Sequence, residues 1–381
     1  MKIFYTGGYI DTLLTTYHNF LSIDLDIDKW TYVSDLRESD VVAMHGNTNN
    51  IEYLEKQYNT LKSLGYTNQL LLLLDIFHLD EHGWHWHFKD IKSFYESKNI
   101  HNILYVHNDK NFITDKTLYN DHMFNRQKSY FTEYHKFDKT SKIWSYDARA
   151  KCYQLDDIKH DFNSDHIFLS PNRVYHSDHI RNKIRERLRT FLKSTQRKGF
   201  ISMPDKGIFL EPEESSLLAL MKNRDYGGGG TWFPIANKYY QKSYISIYVE
   251  TLAANRDDIL VFVPETYRTI TEKTFDPLIK GHFILPLGYS GIIQDIKDYG
   301  FLLPDFIDYN YDFIIDNQRR YEAFEREVER LVNIPLSTWS VLYTTNKYIL
   351  EHNRNVFYKK PYDCLYDSIR SYLVNPINNT V

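Results

Sequence analysis

Cysteine is nearly absent from this chain: Cys152 and Cys364 are the two thiols in 381 residues. So few, so far apart, supply neither a disulfide framework nor a four-cysteine zinc site. Long apolar runs are missing too. The longest, QLLLLLDIF at 69–77, contains Asp75 and falls well short of the ~20 residues that cross a bilayer. The opening MKIFYTGGYIDTLL lacks the apolar core and small-residue cleavage site of a secretory signal, so a soluble cytoplasmic protein is expected. The Asn378-Asn379-Thr380 sequon then has no secretory context. Positive charge is not in surplus: the formal net charge is -4. That argues against a protein whose main task is to coat nucleic acid, while leaving room for one local basic groove. No complete Rossmann fingerprint, P-loop or HExxH spacing occurs. LDEHGWHWHF at 79–88 offers His82, His85 and His87 with Asp80 or Glu81 as ligand types, but without a recognised metal spacing, and no metal site is expected. Trp84 and Trp86 there suit either packing or stacking on a sugar or base.

What is present is an α/β rhythm. Apolar residues make up 42% and charged residues 25%, a balance that excludes general disorder, and the length suits two domains better than one. The 32 tyrosines and 23 phenylalanines fit either a coding bias or carbohydrate stacking. KIFYTG, DVVAMHG (40–46), QLLLLLD (69–75) and NILYVHND read as strands, the third apolar on both faces as a central parallel strand should be. IEYLEKQYNTLKSLG reads as a helix with Ile51, Leu54, Tyr58 and Leu61 inward, and DIKSFYES as another. Polar DDIKHDFNSD marks a junction near Asp165. The alternation then resumes with HIFLS, the helix SDHIRNKIRERLRTFLKS, GFISM, YISIYVE (244–250) and HFILPL (282–287). NQRRYEAFEREVERLVNI places Phe324, Val328 and Leu331 inward, and STWSVLYTTNKYILEHNRNVF reads as one further helix. Two α/β halves with a cleft between them suit a ligand held at the carboxyl ends of parallel strands.

The chemistry centres on TITEKTFDPLIKGHFILPLG at 269–288. Thr269 or Thr271 can cap a helix, and Glu272 is favourable in its first turn. Lys273 is not, because the helix dipole disfavours a cation there. The misfit is resolved if an anion such as phosphate sits at this end, held by amides and ammonium together, with Glu272 accepting from sugar hydroxyls. The plain alternative is a capped helix with a solvated lysine. Arg173, just beyond a strand in LSPNRVYHSDH, has the forked geometry for a diphosphate. The basic residues of 181–198 form either a solvated face or a contact for a polyanion such as DNA. Glu250, closing YISIYVE, suits a sugar hydroxyl or an ordinary surface position. Glu265 and Arg268 are further polar contacts for a ligand, and the glycines of GYSGI at 288–292 allow close backbone approach.

SYISIYVET, followed by VFVPETYRTITEKTFDPLIKGHFILPLGYSGIIQDIKDYGF, resembles the donor half of a viral and bacterial nucleotide-sugar glycosyltransferase group, distantly similar to the alpha-1,3-fucosyltransferases. SPNRVYHSDHIR is similar to that family's upstream arginine segment, and YGFLLPDFIDYNYD at 299–312 resembles a tail of the viral members. The resemblance covers about residues 168–330, and the gap from Glu250 to Glu272 is longer than in the fucosyltransferases. It implies two facing Rossmann-like domains of GT-B type: an acceptor-side domain at 1–165, a donor domain at 166–335, and C-terminal helices at 336–381 packing back toward the cleft. It implies transfer from a nucleotide sugar, such as a UDP- or GDP-sugar, to a glycan hydroxyl or a hydroxymethylated base in DNA, without metal or other cofactor. A viral origin would make the cytoplasm that of the host cell. By this pattern Arg173, Glu250, Glu272 and Lys273 contact the donor, and Arg268 is kept beside them as a further candidate contact. Asp75, His78 and His45, at or beyond N-terminal strand ends, are candidates for the base that takes the acceptor proton. A non-catalytic sugar- or nucleotide-binding protein is the alternative.

Overall fold

The longer strands are mostly apolar, and both sheets are wholly parallel. The computed structural model describes residues 1–5, 31–45, 51–74, 88–107, 117–119, 166–172, 180–195, 199–202, 235, 237–250, 270–360 and 365–374. These fall into two units. In the first, β1 (Lys2–Tyr5), β2 (Thr31–Tyr32), β3 (Val41–His45), β4 (Leu70–Leu74), β5 (Ile103–His107) and β6 (Thr117–Tyr119) make one sheet in the order β2-β1-β3-β4-β5-β6.

Side chains on a strand alternate between faces, and the core of this unit divides accordingly. Val41, Ala43, Leu70, Leu72, Leu104 and Val106 meet Ile369 of the C-terminal helix Leu365–Val374. Val42, Met44, Leu71, Leu73, Ile103 and Tyr105 meet Leu54 and Leu61 of α1 (Ile51–Ser63) and Ile91 and Tyr95 of α2 (Phe88–Ser97). Apolar character on both faces follows from helices on both. Tyr95 donates to Gln57 Oε1 at 3.1 Å, and Lys98 Nζ meets Glu55 Oε1 at 2.6 Å, tying α2 to α1. Ile51, expected inward, is 68% exposed, because it opens the helix ahead of the buried stripe that starts at Leu54.

The second unit carries β7 (Phe168–Ser170), α3 (Ile180–Ser194), β8 (Gly199–Ile201), α4 (Asn237–Gln241), β9 (Ile245–Val249), α5 (Glu272–Ile279), β10 (Phe283–Leu287), α6 (Ile292–Asp298) and α7 (Asn317–Val332), with α8 (Leu336–Thr345) and α9 (Lys347–Lys359). Its sheet order is β10-β9-β7-β8. One face is a large apolar core, in which Ile245, Ile247, Val249, Phe283, Leu285 and Leu287 meet Leu188 and Leu192 of α3, Phe324, Val328 and Leu331 of α7, and Trp339 and Tyr343 of α8. The expected single helix after residue 336 is two. Asn346 ends α8, its backbone N–H and Nδ2 both donating to Leu342 O at 3.0 and 2.9 Å, and α9 restarts at Lys347. Helices α8 and α9 pack within the second unit, α9 against α5, whereas the C-terminal helix completes the first sheet.

The edge strand β10 is closed by tyrosines. Tyr309 and Tyr311 donate to the carbonyls of Ile284 and Pro286, at 2.9 and 2.5 Å, which removes two acceptors from an edge otherwise open to pairing. Asp312, 1% exposed, accepts from Ile293 N–H at 2.9 Å, so its carboxylate closes the start of α6. Gly291 provides the left-handed entry, φ 94°. Burial pushes the Asp312 carboxyl from 3.8 up to about 6, against the opposing pull of the Ile293 and Gly291 amides and of Arg320. A carboxyl raised on folding holds more protons in the native state. Its contribution is therefore complete below pH 3.8 and lost as pH rises through about 6. We predict that the difference in unfolding free energy between wild type and Asp312→Asn, from urea titrations, shifts against the wild type by about 3 kcal/mol between pH 3.5 and pH 7. A flat difference would refute this.

Candidate functional site

In an open parallel sheet, ligands sit beyond the carboxyl ends of the strands, at the point where the strand order reverses. The second sheet steps from β7 to β8 on one side, then to β9 and β10 on the other, so its switch point lies between β7 and β9. In the first sheet the reversal lies between β1 and β3, and His45, the last residue of β3, is there in register with Leu74 of β4.

The carboxyl end of β9 is built by alternation. Its odd-numbered residues are the apolar Ile245, Ile247 and Val249 of the large core, while Ser246, Tyr248 and Glu250 share the opposite face. All three are buried and bonded. Ser246 Oγ lies 2.9 Å from His282 Nδ1. Tyr248 donates to Thr274 Oγ1 at 2.8 Å, and burial raises its phenol well above the ordinary value. Glu250 is fully buried. Its Oε1 accepts from Thr271 N–H at 3.1 Å and from the Thr274 hydroxyl at 2.7 Å, and its Oε2 from the Thr271 hydroxyl at 2.6 Å.

Glu250 therefore holds the first turn of α5 instead of lying open at the surface. Thr271 is the N-cap, in extended conformation, and Thr271 Oγ1 also accepts from Lys273 N–H at 3.3 Å. Lys273 is half-buried, with Nζ 3.4 Å from the same oxygen. The Thr271 and Lys273 amides thus already donate within the protein. The structure brings Glu250, Thr271, Lys273 and Thr274 together. Glu272 is the first residue of α5. Asp75, His78, Arg173 and Arg268 lie outside the described residues, as do His82, His85, His87 and Glu265.

Sequence reasoning missed four participants. Tyr248 and Thr274 complete the Glu250 network. Asn172 accepts from Val249 N–H at 2.9 Å, and Arg185 donates to Val249 O at 3.2 Å. A signal existed for Tyr248, since a polar residue on every second position of a buried strand demands partners. None existed for Arg185, one basic residue among many on α3. The reading of that helix as a solvated basic face fails for Arg185 and Arg189, which are buried. Arg189 pairs with Glu186, and Arg187 meets Glu325 at 3.1 Å and lies over the Tyr321 ring at 4.1 Å. At the neighbouring strand end, the close approach allowed by Gly288 is to Ile292, whose Cδ1 would lie 2.5 Å from a Cβ there.

Among the described residues, no group of three or more His, Cys, Asp or Glu side chains could hold a metal ion, and no helix is long and apolar enough to cross a membrane. Each of the two units is a parallel sheet flanked by helices, a Rossmann-like arrangement. No family model matches the chain, and no curated protein does. Among solved structures the chain bears a weak whole-chain similarity to the crystal structure of an alpha1,3-fucosyltransferase. The TM-score is 0.43 and the identity 12%, covering 100% of this chain and 90% of that one.

The Glu250 network yields a stability prediction. Thr274→Val leaves a Glu250 lone pair and the Tyr248 hydroxyl without their partner, and should cost about 3 kcal/mol in urea denaturation. Thr274→Ser keeps the hydroxyl and should cost about 1 kcal/mol. A loss in Thr274→Val no larger than that in Thr274→Ser would show that the two hydrogen bonds do not dominate at this position.

Proposed function

We propose that this chain is a glycosyltransferase that moves a sugar from a nucleotide-sugar donor to an acceptor hydroxyl. The observation that carries the reading is the junction of β9 and α5, where a buried carboxylate holds a helix start bearing a lysine, at the carboxyl end of a strand flanking the switch point. The resemblance of residues 168–330 to the donor half of the glycosyltransferase group supports the same reading.

In this reaction the acceptor oxygen attacks the anomeric carbon, and the bond from that carbon to the phosphate oxygen breaks. The electron pair leaves with the nucleoside diphosphate, and the acceptor proton passes to a base. Stabilising the charge that gathers on the departing phosphate is the enzyme's main electrostatic task. Lys273 serves it directly; Arg173 is a second cation for the diphosphate, and Arg268 a further contact. Glu272 takes donor hydroxyls. Glu250 acts through Thr271 and Thr274, positioning the turn. The base is one of His45, Asp75 or His78. The acceptor is a glycan hydroxyl or a hydroxymethylated base in DNA, and binding to duplex DNA that weakens steeply with salt would mark the latter.

A thermal-shift panel of UDP-, GDP-, CMP- and dTDP-sugars tests the reading. One class should stabilise the fold, by about 2.7 kcal/mol at a hundredfold excess over its Kd. Lys273→Ala should remove most of that shift and slow transfer. A panel in which no nucleotide sugar shifts the wild type, or a Lys273→Ala variant that binds and turns over normally, would refute the proposal. Donor binding with no hydrolysis and no transfer to any acceptor would reduce the protein to a binding module.

A further inference from the structure

Strands β7 and β9 stay paired only briefly. Phe168 matches Ile245 and Leu169 matches Ser246, yet β9 runs on along β10 as far as Val249, opposite Leu287. Continuing the β7 register brings Asn172 level with Val249. Since Glu250 N–H donates toward β10, to Leu287 O at 2.8 Å, the N–H and C=O of Val249 face the side from which β7 has withdrawn. A backbone left open there would carry two buried polar groups without partners.

Side chains take the place of the missing strand. Asn172 Oδ1 accepts the Val249 N–H, and its Nδ2 donates to Ser170 Oγ at 3.3 Å. Arg185 Nη2 reaches over from α3 to the Val249 carbonyl. Both side chains are buried, each residue being 4% exposed. Burying a guanidinium carries a desolvation cost that a neutral donor would avoid. What it secures is a rigid end to β9 one residue before Glu250, with positive charge in the opening between the strands. An unbroken line of bonds then runs from Asn172 and Arg185 through Val249 to Glu250, Thr271 and Lys273.

We propose that Asn172 and Arg185 are positioning residues of an anion site: their grip on the Val249 peptide sets the Glu250 carboxylate, and Glu250 sets the turn that presents Lys273. This rests on the reading that Lys273 meets a phosphate. Calorimetric titration of inorganic pyrophosphate into the full chain tests it, with urea midpoints recorded so that affinities are compared among folded proteins. Asn172→Ala, which removes no charge, and Arg185→Met should each weaken binding about tenfold or more, and Arg185→Lys should stay within about threefold of wild type. In a Lys273→Ala background the same changes should add less than about twofold, because they act through that lysine.

Unchanged affinity in Asn172→Ala, or losses that add fully to that of Lys273→Ala, would overturn the proposal. If Arg185→Met does not fold, the Asn172→Ala and Arg185→Lys arms decide it. A wild type that takes no pyrophosphate also overturns it, and the nucleotide-sugar panel then judges the transferase reading separately.

Discussion

The buried carboxylate of Glu250 is the constraint around which the second unit is arranged. A charge removed from water is tolerable only when protein donors replace its hydration. Glu250 receives three such bonds, from one amide and two hydroxyls. Charge-assisted bonds of this kind are short and roughly twice as strong as neutral ones. They leave little freedom to Thr271 and Thr274, so the start of α5 is set by the end of β9 and not by helix propensity. Phe275 carries the arrangement onward: its ring lies 5.5 Å from Tyr299 and 6.3 Å from Phe357 of α9, so a later helix packs against the element that Glu250 positions.

The two sheets spend their faces differently. In the first, both faces of β3, β4 and β5 are apolar and both are covered. In the second, one face of β9 is apolar and joins α3, α7 and α8, while the other carries Ser246, Tyr248 and Glu250. A polar row in a buried strand stabilises less than an apolar one of similar shape. Its return is directionality, since hydrogen bonds fix angles that hydrophobic contacts leave loose. The row ends at the switch point, where loose geometry would matter most. Helix α3 shows a related economy: three of its arginines turn to Val249, Glu325 and Glu186, so much of its basic charge acts inside the unit.

Much of the architecture was legible in the sequence. Five leucines in succession mark β4 as a central strand because nothing else packs so uniformly on both faces, and Phe324, Val328 and Leu331 mark the inner stripe of α7 by their spacing. The dyad of Glu272 and Lys273 drew attention to the start of α5 because a lysine there opposes the helix dipole. What stayed hidden has a common physical cause. Ile51 matches the apolar period of α1 yet lies outside the core, because a period says nothing about where a helix overhangs its sheet. Asn346 ends one helix and precedes the next, its backbone N–H and side-chain amide both donating to Leu342 O, a stop that the apolar spacing does not show. Asn172 and Arg185 serve a peptide 77 and 64 residues away along the chain, and no local pattern encodes such a partner.

By itself, then, the sequence determined most of the longer strands and helices, that they alternate into two α/β units, and where an unusual charge meets a helix start. These follow from periodicity and local electrostatics, which act over a few residues. Only the tertiary structure decided that Glu250 faces inward to Thr271 and Thr274, that β7 parts from β9 at the switch point, and that Asn172 and Arg185 close the opening. Each of those depends on which buried polar group lies next to which in space, and desolvation is settled by that neighbourhood alone.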